Sequence, residues 1–286
     1  MSQVHDPDNV LVIDNGSTDN TREVISKFPE IRVIYDADRR LSELLNRGWK
    51  ESASDIVGFL NDDTVVTSMW VEDVKTYFAR LRDAAAIGGP TIDVNPRRIA
   101  KFVSGNGIIR KFATKVYDVL VLQGRLYDYG LLTPWGAFSI GTQSPTVPVA
   151  VSTLTITNMA VKREVLDALN GFDESFSFQH IDGFFFISLL RKGFVMYAIP
   201  GAGVRHYPNP TGRVRSAYNL ALDQAVFEKK LRPTKTKDKL LLRLNSFAFF
   251  AFWILSNHEN RVEVINSILR GYLDGSCSSM RFSKRE

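Results

Sequence analysis

Apolar residues in this chain fall into two alternating patterns, and that alternation points to the fold class. Val10, Leu11, Val12 and Ile13 form an unbroken apolar run that stops at Asp14, Asn15, Gly16, Ser17, Thr18 and Asp19. A run of this kind reads as a strand buried on both faces, ended by turn formers. Residues 21–28 then show helical spacing, 31–35 a short strand, and 41–53 a helix with Leu41, Leu44, Leu45 and Trp49 on one face. A second buried strand over 55–60 ends on Asn61, Asp62 and Asp63, followed by a helix over 69–81 and a strand over 85–90. Further on, 149–156 reads as a strand, 162–169 and 184–190 as helices, and 195–199 as a final strand reaching toward Val204, Arg205 and His206. Repeated strand–helix alternation predicts an α/β protein with a mixed, mostly parallel sheet flanked by helices and a Rossmann-like nucleotide-binding half.

Two stretches depart from this rhythm. Between 93 and 147 the period fades, with Gly105, Gly107, Tyr127, Tyr129, Pro134 and Trp135 scattered through it. So long an irregular stretch reads as a functional loop region. Beyond residue 212 the character changes again: Lys229, Lys230, Arg232, Lys235, Lys237, Lys239 and Arg243 precede an aromatic run, and Val262, Ile265, Leu269 and Tyr272 share one face of a last helix. The expected organisation is a domain over 1–212 and a helical C-terminal extension over 213–286. These helices either pack on the domain behind a solvated basic rim or lie flat on an anionic membrane.

Composition narrows the classes. The chain has 286 residues, 44% hydrophobic and 11% aromatic, enough to bury a substantial core, so general disorder is not expected. A single cysteine, Cys277, excludes an intramolecular disulfide and a Cys-rich zinc site, and fits a reducing compartment. The polar, acidic start carries no secretory pattern. The longest apolar run, 247–255, falls well short of the ~20 residues of a membrane span. A cytoplasmic protein is therefore expected, with peripheral contact at the inner membrane face through the basic, aromatic tail. The net charge of +5 favours anionic partners without choosing among them. Nucleic acid is not the expected partner, because the basic excess lies in the tail and not in an aromatic-studded groove.

The polar clusters sit where chemistry is placed in open α/β sheets, at the carboxyl ends of strands. Asp14, with Asn15 and Ser17 beside it, is positioned to accept hydrogen bonds from a base or ribose, or else simply caps a strand-to-helix turn. Asp62 and Asp63 offer hard oxygen ligands to a divalent cation, which would offset the charge of a diphosphate leaving group. The stretch Ile13-Asp14-Asn15-Gly16-Ser17-Thr18-Asp19-Asn20-Thr21 closely resembles the second-strand motif of glycosyltransferase family 2, inverting nucleotide-sugar enzymes with the GT-A fold. Phe59-Leu60-Asn61-Asp62-Asp63-Thr64 is similar to that family's metal-binding Asp-x-Asp motif, with Asn61 in the first slot and Asp63 in the third. The region from Arg40 to Gly48 resembles the helix before the metal strand. Asn170 to Phe176, followed by His180 and Asp182, resembles the turn that leads to the catalytic base. Here Ile181 stands for the usual Glu and Phe184 for a second common Asp. Residues 269–275 are similar to the C-termini of rhamnosyltransferase-like members.

What the resemblance implies is specific. Asp14, Asn15, Ser17, Arg40 and Asp62 would hold the nucleotide sugar, and Arg40 carries the charge to pair with a diphosphate. Asp63, Asp62 and His206 would hold Mn or Mg, with Asp63 the preferred carboxylate; the alternative for His206 is a structural role. Asp182 would act as base, or instead cap the helix behind it. Partial desolvation among apolar neighbours would raise its pKa, which suits that role. The implied activity is metal-dependent, inverting transfer from a UDP- or dTDP-sugar to a hydroxyl on a glycan, a lipid-linked glycan or a protein. Family members usually begin with a further strand, of which residues 1–9 carry only the following helix end and loop. An upstream start, a segment from a partner chain, or a catalytically inactive pseudo-glycosyltransferase acting as a binding or assembly module are the three expectations that follow.

Overall fold

The structure is a computed structural model that describes residues 10–94, 108–126, 128–139, 144–207, 217–256 and 261–277. The expectations for residues 1–9, for the 212/213 boundary, and for Gly105, Gly107 and Tyr127 fall outside the described residues.

The N-terminal alternation is observed almost as read. Strand β1 (Leu11–Asp14) leads through α1 (Thr21–Ile25) to β2 (Arg32–Tyr35), which pairs with it in parallel. Helix α2 (Leu41–Glu51) then returns the chain to β3 (Ile56–Leu60). Leu11, Val12 and Ile13 are only half-buried, not buried on both faces: β2 is the neighbour on one edge, and α2 covers one face through Gly48 against Ile13.

The central sheet has the order β3-β8-β5-β9-β7, with β5 (Ala84–Gly88), β7 (Val149–Val151), β8 (Asn158–Lys162) and β9 (Val195–Ala198). Strands β3, β5 and β9 run one way while β7 and β8 oppose them, so the sheet is mixed as expected but not mostly parallel: β5–β9 is its one parallel pairing among the described residues, because β8 enters between β3 and β5 in the opposite direction. A smaller sheet, β4-β10-β6, joins β4 (Thr64–Val66), β10 (Val204–His206) and β6 (Thr91–Asp93). Helix α3 (Trp70–Arg80) covers one side of the central sheet, packing Trp70, Val74 and Phe78 against Ala84, Ile87 and Ala160. The other side holds α2, α5 (Arg163–Leu169), α6 (Ile181–Arg191) and α7 (Ala217–Leu231) in one apolar cluster that includes Trp49, Phe59, Phe172, Phe186 and Phe227.

Three readings are corrected. The strand expected over 149–156 ends at Val151, where hydroxyls take over backbone bonding: Leu132 N donates to Ser152 Oγ at 2.7 Å and Thr157 N to Thr155 Oγ1 at 3.3 Å; a further strand, β8, follows at Asn158–Lys162, where none was expected. The irregular 93–147 region contains a helix, α4 (Ile108–Tyr117), continuing as a π turn over Asp118–Leu122. Phe112, Val116, Val119 and Leu120 along this segment are exposed. The final strand is two strands, β9 and β10, in different sheets.

The C-terminal segment continues with α8 (Thr236–Ser256) and α9 (Arg261–Cys277). Helix α9 lies on α7 with its glycines inward: a Cβ on Gly271 would sit 2.1 Å from the Tyr218 carbonyl oxygen, and one on Gly275 2.7 Å from that of Leu222. Only glycine permits this approach. Alanine is the better helix former by about 1 kcal/mol, but overpacking costs about 1–3 kcal/mol. Gly271→Ala should therefore lower the melting temperature; a value equal to or above wild type would show that the two helices part freely.

Candidate active site

Asp14 ends β1 and is almost fully buried. Ser17 N donates to its Oδ1 at 2.9 Å, and the hydrogen bonds from Ser17 hold the carboxyl below the usual carboxylate range, with the Arg22 charge adding to them. Its Oδ2 is buried and accepts no hydrogen bond. An ionised oxygen in that state is an acceptor awaiting a donor. Asn15 spends its side chain on loop shape, donating to Arg39 O at 3.1 Å and accepting from Arg39 N at 3.2 Å. Arg40 begins α2, and its Nη1 donates to Glu174 O at 2.6 Å, which ties the helix start to the 171–176 turn.

The second cluster lies beyond β3. Asn61 leans toward Thr157, while Asp62 is exposed in the turn to β4. Strand β10 inserts between β4 and β6, and its register sets His206 across from Thr64 on one side and Asp93 on the other. His206, 1% exposed, has Nδ1 2.6 Å from Asp93 Oδ1 and Nε2 3.0 Å from Asp63 Oδ1. In a neutral ring that donates from Nδ1 to Asp93, the Nε2 lone pair points at Asp63. Nε2 and Asp63 Oδ1 are both buried, face each other, and have no hydrogen-bond partner. Two lone-pair donors so arranged are satisfied by a cation between them. Among the described residues no three His, Cys, Asp or Glu side chains form a complete metal cage. Asp63 and His206 supply two ligands, which suits an ion that completes its shell with phosphate oxygens and water. Asp93 was missed in the sequence, although it ends a short strand as Asp14 does.

Asp182 lies in the first turn of α6, half-buried, and accepts from Gly183 N at 2.8 Å. The chain before it is held by two buried polar side chains. Asn46 of α2 donates to Phe172 O and Glu174 Oε1, both at 2.8 Å, and accepts from Phe172 N at 2.8 Å and Trp49 Nε1 at 3.0 Å. A Cβ on Gly171, which has φ 72°, would fall 2.2 Å from Asn46 Oδ1. Asp223 of α7, fully buried, accepts from the backbone of Ser177, Phe178 and Gln179 and from the Ser177 hydroxyl. Burial pushes its pKa up, against the pull of those bonds. Its neighbour Gln224 accepts from His180 Nε2 at 2.7 Å and donates to Ser246 Oγ of α8 at 2.9 Å. His180 caps α6 in the left-handed region at φ 63° and stacks on Phe227. Asp223 and Gln224 also escaped the sequence reading; the polar pair interrupting the apolar residues 220–227 was their signal.

These bonds join the Asp14 loop, the start of α2 and the Asp182 loop in one chain of contacts, completed by Leu41 N to Ser177 O at 3.2 Å. Asp63, His206 and Asp93 form the other group. Asp14 ends β1, and Asp63 follows the carboxyl end of β3, the position where open α/β sheets place ligands. A cleft of about 460 Å³, lined by Asn46, Lys50, Asp173, Glu174 and Ser188 among others, opens beside the 171–174 turn and includes neither Asp63 nor His206.

Residues 1–132 match the family described as Glycosyl transferase family 2. The motifs around Asp14, Arg40 and Asp63 lie within those matched residues. It is 25% identical over 238 residues to the O-antigen chain rhamnosyltransferase WbaN of Salmonella anatum, covering 79% of this chain and 64% of that protein. The chain thus spans less than two thirds of that relative's length. Its fold is of the GT-A type. It superposes on S. aureus TarS 1-349 with a TM-score of 0.55 at 12% identity, covering 94% of this chain and 72% of that one. Against GalNAc-T7 with UDP, GalNAc and Mn2+ the TM-score is 0.54 at 12% identity, covering 83% and 48%.

The buried clamp has a pH signature. Burial pushes His180 down from 6.5 to about 4. Between those values the unfolded chain binds a proton that the folded chain does not, so stability falls as pH drops, by up to about 3 kcal/mol at pH 4. The raised Asp223 acts with the opposite sign at the acid end. His180→Asn, which tolerates positive φ, should flatten the dependence of the urea midpoint between pH 7 and pH 5. Equal slopes in both proteins would remove His180 as the source.

Proposed function

We propose that this chain transfers a sugar, with inversion, from a UDP- or dTDP-sugar to an acceptor hydroxyl, using Mn2+ or Mg2+. The observation that carries this reading is the buried, unpartnered face-to-face pair of Asp63 Oδ1 and His206 Nε2, with Asp93 holding the far side of the imidazole. Asp63 and His206 would hold the cation, and Asp62 lies in the same turn. When bound, such an ion neutralises the diphosphate and stabilises its departure.

The remaining roles belong to the chain's own groups. Asp14 Oδ2 accepts a hydrogen bond from the base or ribose, within the loop that Asn15 and Ser17 shape. Arg40, at the start of α2, lends positive charge to the diphosphate side. Asp182 takes the proton of the acceptor hydroxyl as its oxygen attacks the anomeric carbon from the face opposite the leaving group. The new carbon–oxygen bond forms as the bond to the nucleoside diphosphate breaks.

Similarity to an O-antigen rhamnosyltransferase supports a glycan or lipid-linked glycan as acceptor, with a protein the remaining choice. No helix among the described residues is long and apolar enough to cross a membrane. Helix α8 exposes Leu240 and Phe247 among Lys237, Lys239 and Arg243, which supports peripheral contact with an anionic inner membrane face and a cytoplasmic site of action.

Calorimetry with UDP or dTDP should show binding that requires Mn2+, is lost with EDTA, and weakens at least about tenfold in Asp63→Asn. Asp182→Asn should bind as wild type does while nucleoside diphosphate release from the productive donor falls about 10²–10⁴-fold. Metal-independent binding would refute the site. Retained turnover in Asp182→Asn would take the base role from Asp182.

A further inference from the structure

We propose that Phe138 is the platform on which the acceptor rests, and that the acceptor is therefore a pyranose and not a side chain of a protein. This deepens the transferase reading and rests on Asp182 as its base. The irregular stretch after α4 contains a small hairpin in which Leu132 and Phe138 form an antiparallel bridge. Gly183 follows Asp182 in the first turn of α6, and a Cβ there would sit 2.7 Å from Phe138 Cζ. The same point lies 3.5 Å from Cε2 and 3.6 Å from Cε1, nearly equal distances, so the ring meets the helix tip-first. Gly183 therefore occupies neither π face, and the ring is only half-buried. An aromatic side chain thus stands beside the candidate base with part of its surface open to solvent.

The hairpin fixes that ring in place. Thr133 N donates to Ala137 O and Ala137 N to Thr133 Oγ1, both at 2.9 Å, and Ser139 N donates to Leu131 O at 3.0 Å. Trp135 Nε1 donates to Val121 O of the π turn at 2.9 Å. Gly136, at φ 80°, lets the turn close on α7: a Cβ there would fall 2.3 Å from the Phe227 ring. The same helix carries Asp223, which holds the backbone of 177–179 ahead of Asp182. One helix thereby supports both the platform and the base, the rigid backing that a recognition residue needs. A pyranose presents C–H bonds on its faces and hydroxyls around its rim. The negative face of a phenyl ring attracts polarised C–H bonds, and small-molecule sites combine aromatic surface with a few directing polar groups. Phe138 takes the C–H face while Asp182 meets one rim hydroxyl. A serine or threonine hydroxyl brings no such face, which narrows the acceptor to a glycan or lipid-linked glycan.

Saturation-transfer NMR with the methyl pyranosides of rhamnose, mannose, galactose and glucose, taken singly and without a sugar donor, tests this apart from any turnover. At least one should receive saturation, strongest at its ring C–H protons. For that ligand Phe138→Leu, which keeps apolar bulk and loses the π face, should weaken Kd by about tenfold, whereas Phe138→Tyr should keep the wild-type value. Gly183→Ala, favourable in a helix, should push the ring tip aside and weaken the same Kd. Circular dichroism should show wild-type helix content in all three; should Gly183→Ala fail to fold, the Leu and Tyr variants decide. A pyranoside bound through Phe138 while Asp182→Asn keeps its turnover would support the platform and remove only the base role. Binding unchanged in Phe138→Leu would reduce Phe138 to a packing residue and overturn the proposal. So would four pyranosides that all fail to bind, with or without UDP and Mn2+, or transfer to a serine peptide at a rate insensitive to Phe138→Leu.

Discussion

The interaction on which the candidate site depends is the contact of one buried imidazole with two carboxylates. His206 is reached by β10, a three-residue strand whose place between β4 and β6 fixes both neighbours. Asp93 satisfies one ring nitrogen, and Asp63 presents a buried oxygen to the other without bonding it. In a folded chain such a pair costs free energy unless positive charge enters between the lone pairs. The small sheet thereby does two things: it closes the edge of the α3 core with Val204, and it holds two ligands at the end of β3.

A second constraint governs the other half of the site. The segment carrying Asp182 has little regular structure before α6, and its backbone donors are met by side chains from helices on either side. Asn46 uses both its amide oxygen and nitrogen on the 171–174 turn, and Asp223 takes up the donors of 177–179. Buried polar groups with every partner in place specify one arrangement of the backbone. Because Asp223 and Gln224 belong to α7, and Val226, Phe227 and Leu231 of the same helix lie in the central apolar cluster, the C-terminal helices help build the site.

How far the sequence reveals this follows from what each signal measures. Apolar runs ending in acids identified β1, β3 and the turns at Asp14 and Asp63, since burial and turn chemistry are local properties. Helix α2 was legible for the same reason. Strands β4 and β6 were not, and β10 was read only as the end of β9, because three residues carry no period and their pairing is entirely non-local. Asp93 was hidden with them. Asp223 and His180 were hidden because their partners lie more than 40 positions away. Helix α9 was recognised as a helix with its stripe correctly located, but the stripe's direction depended on how closely Gly271 and Gly275 approach α7, a packing property the hydrophobic pattern does not encode.

Pulsed EPR of Mn2+ bound in the presence of UDP tests the central contact most directly. An imidazole nitrogen coordinated to the ion gives a nitrogen modulation of the electron spin echo, and His206→Gln should remove it while manganese still binds, more weakly, through Asp63. A wild-type signal without nitrogen coupling, or one that survives His206→Gln, would contradict the assignment of His206 and Asp63 as the ligands.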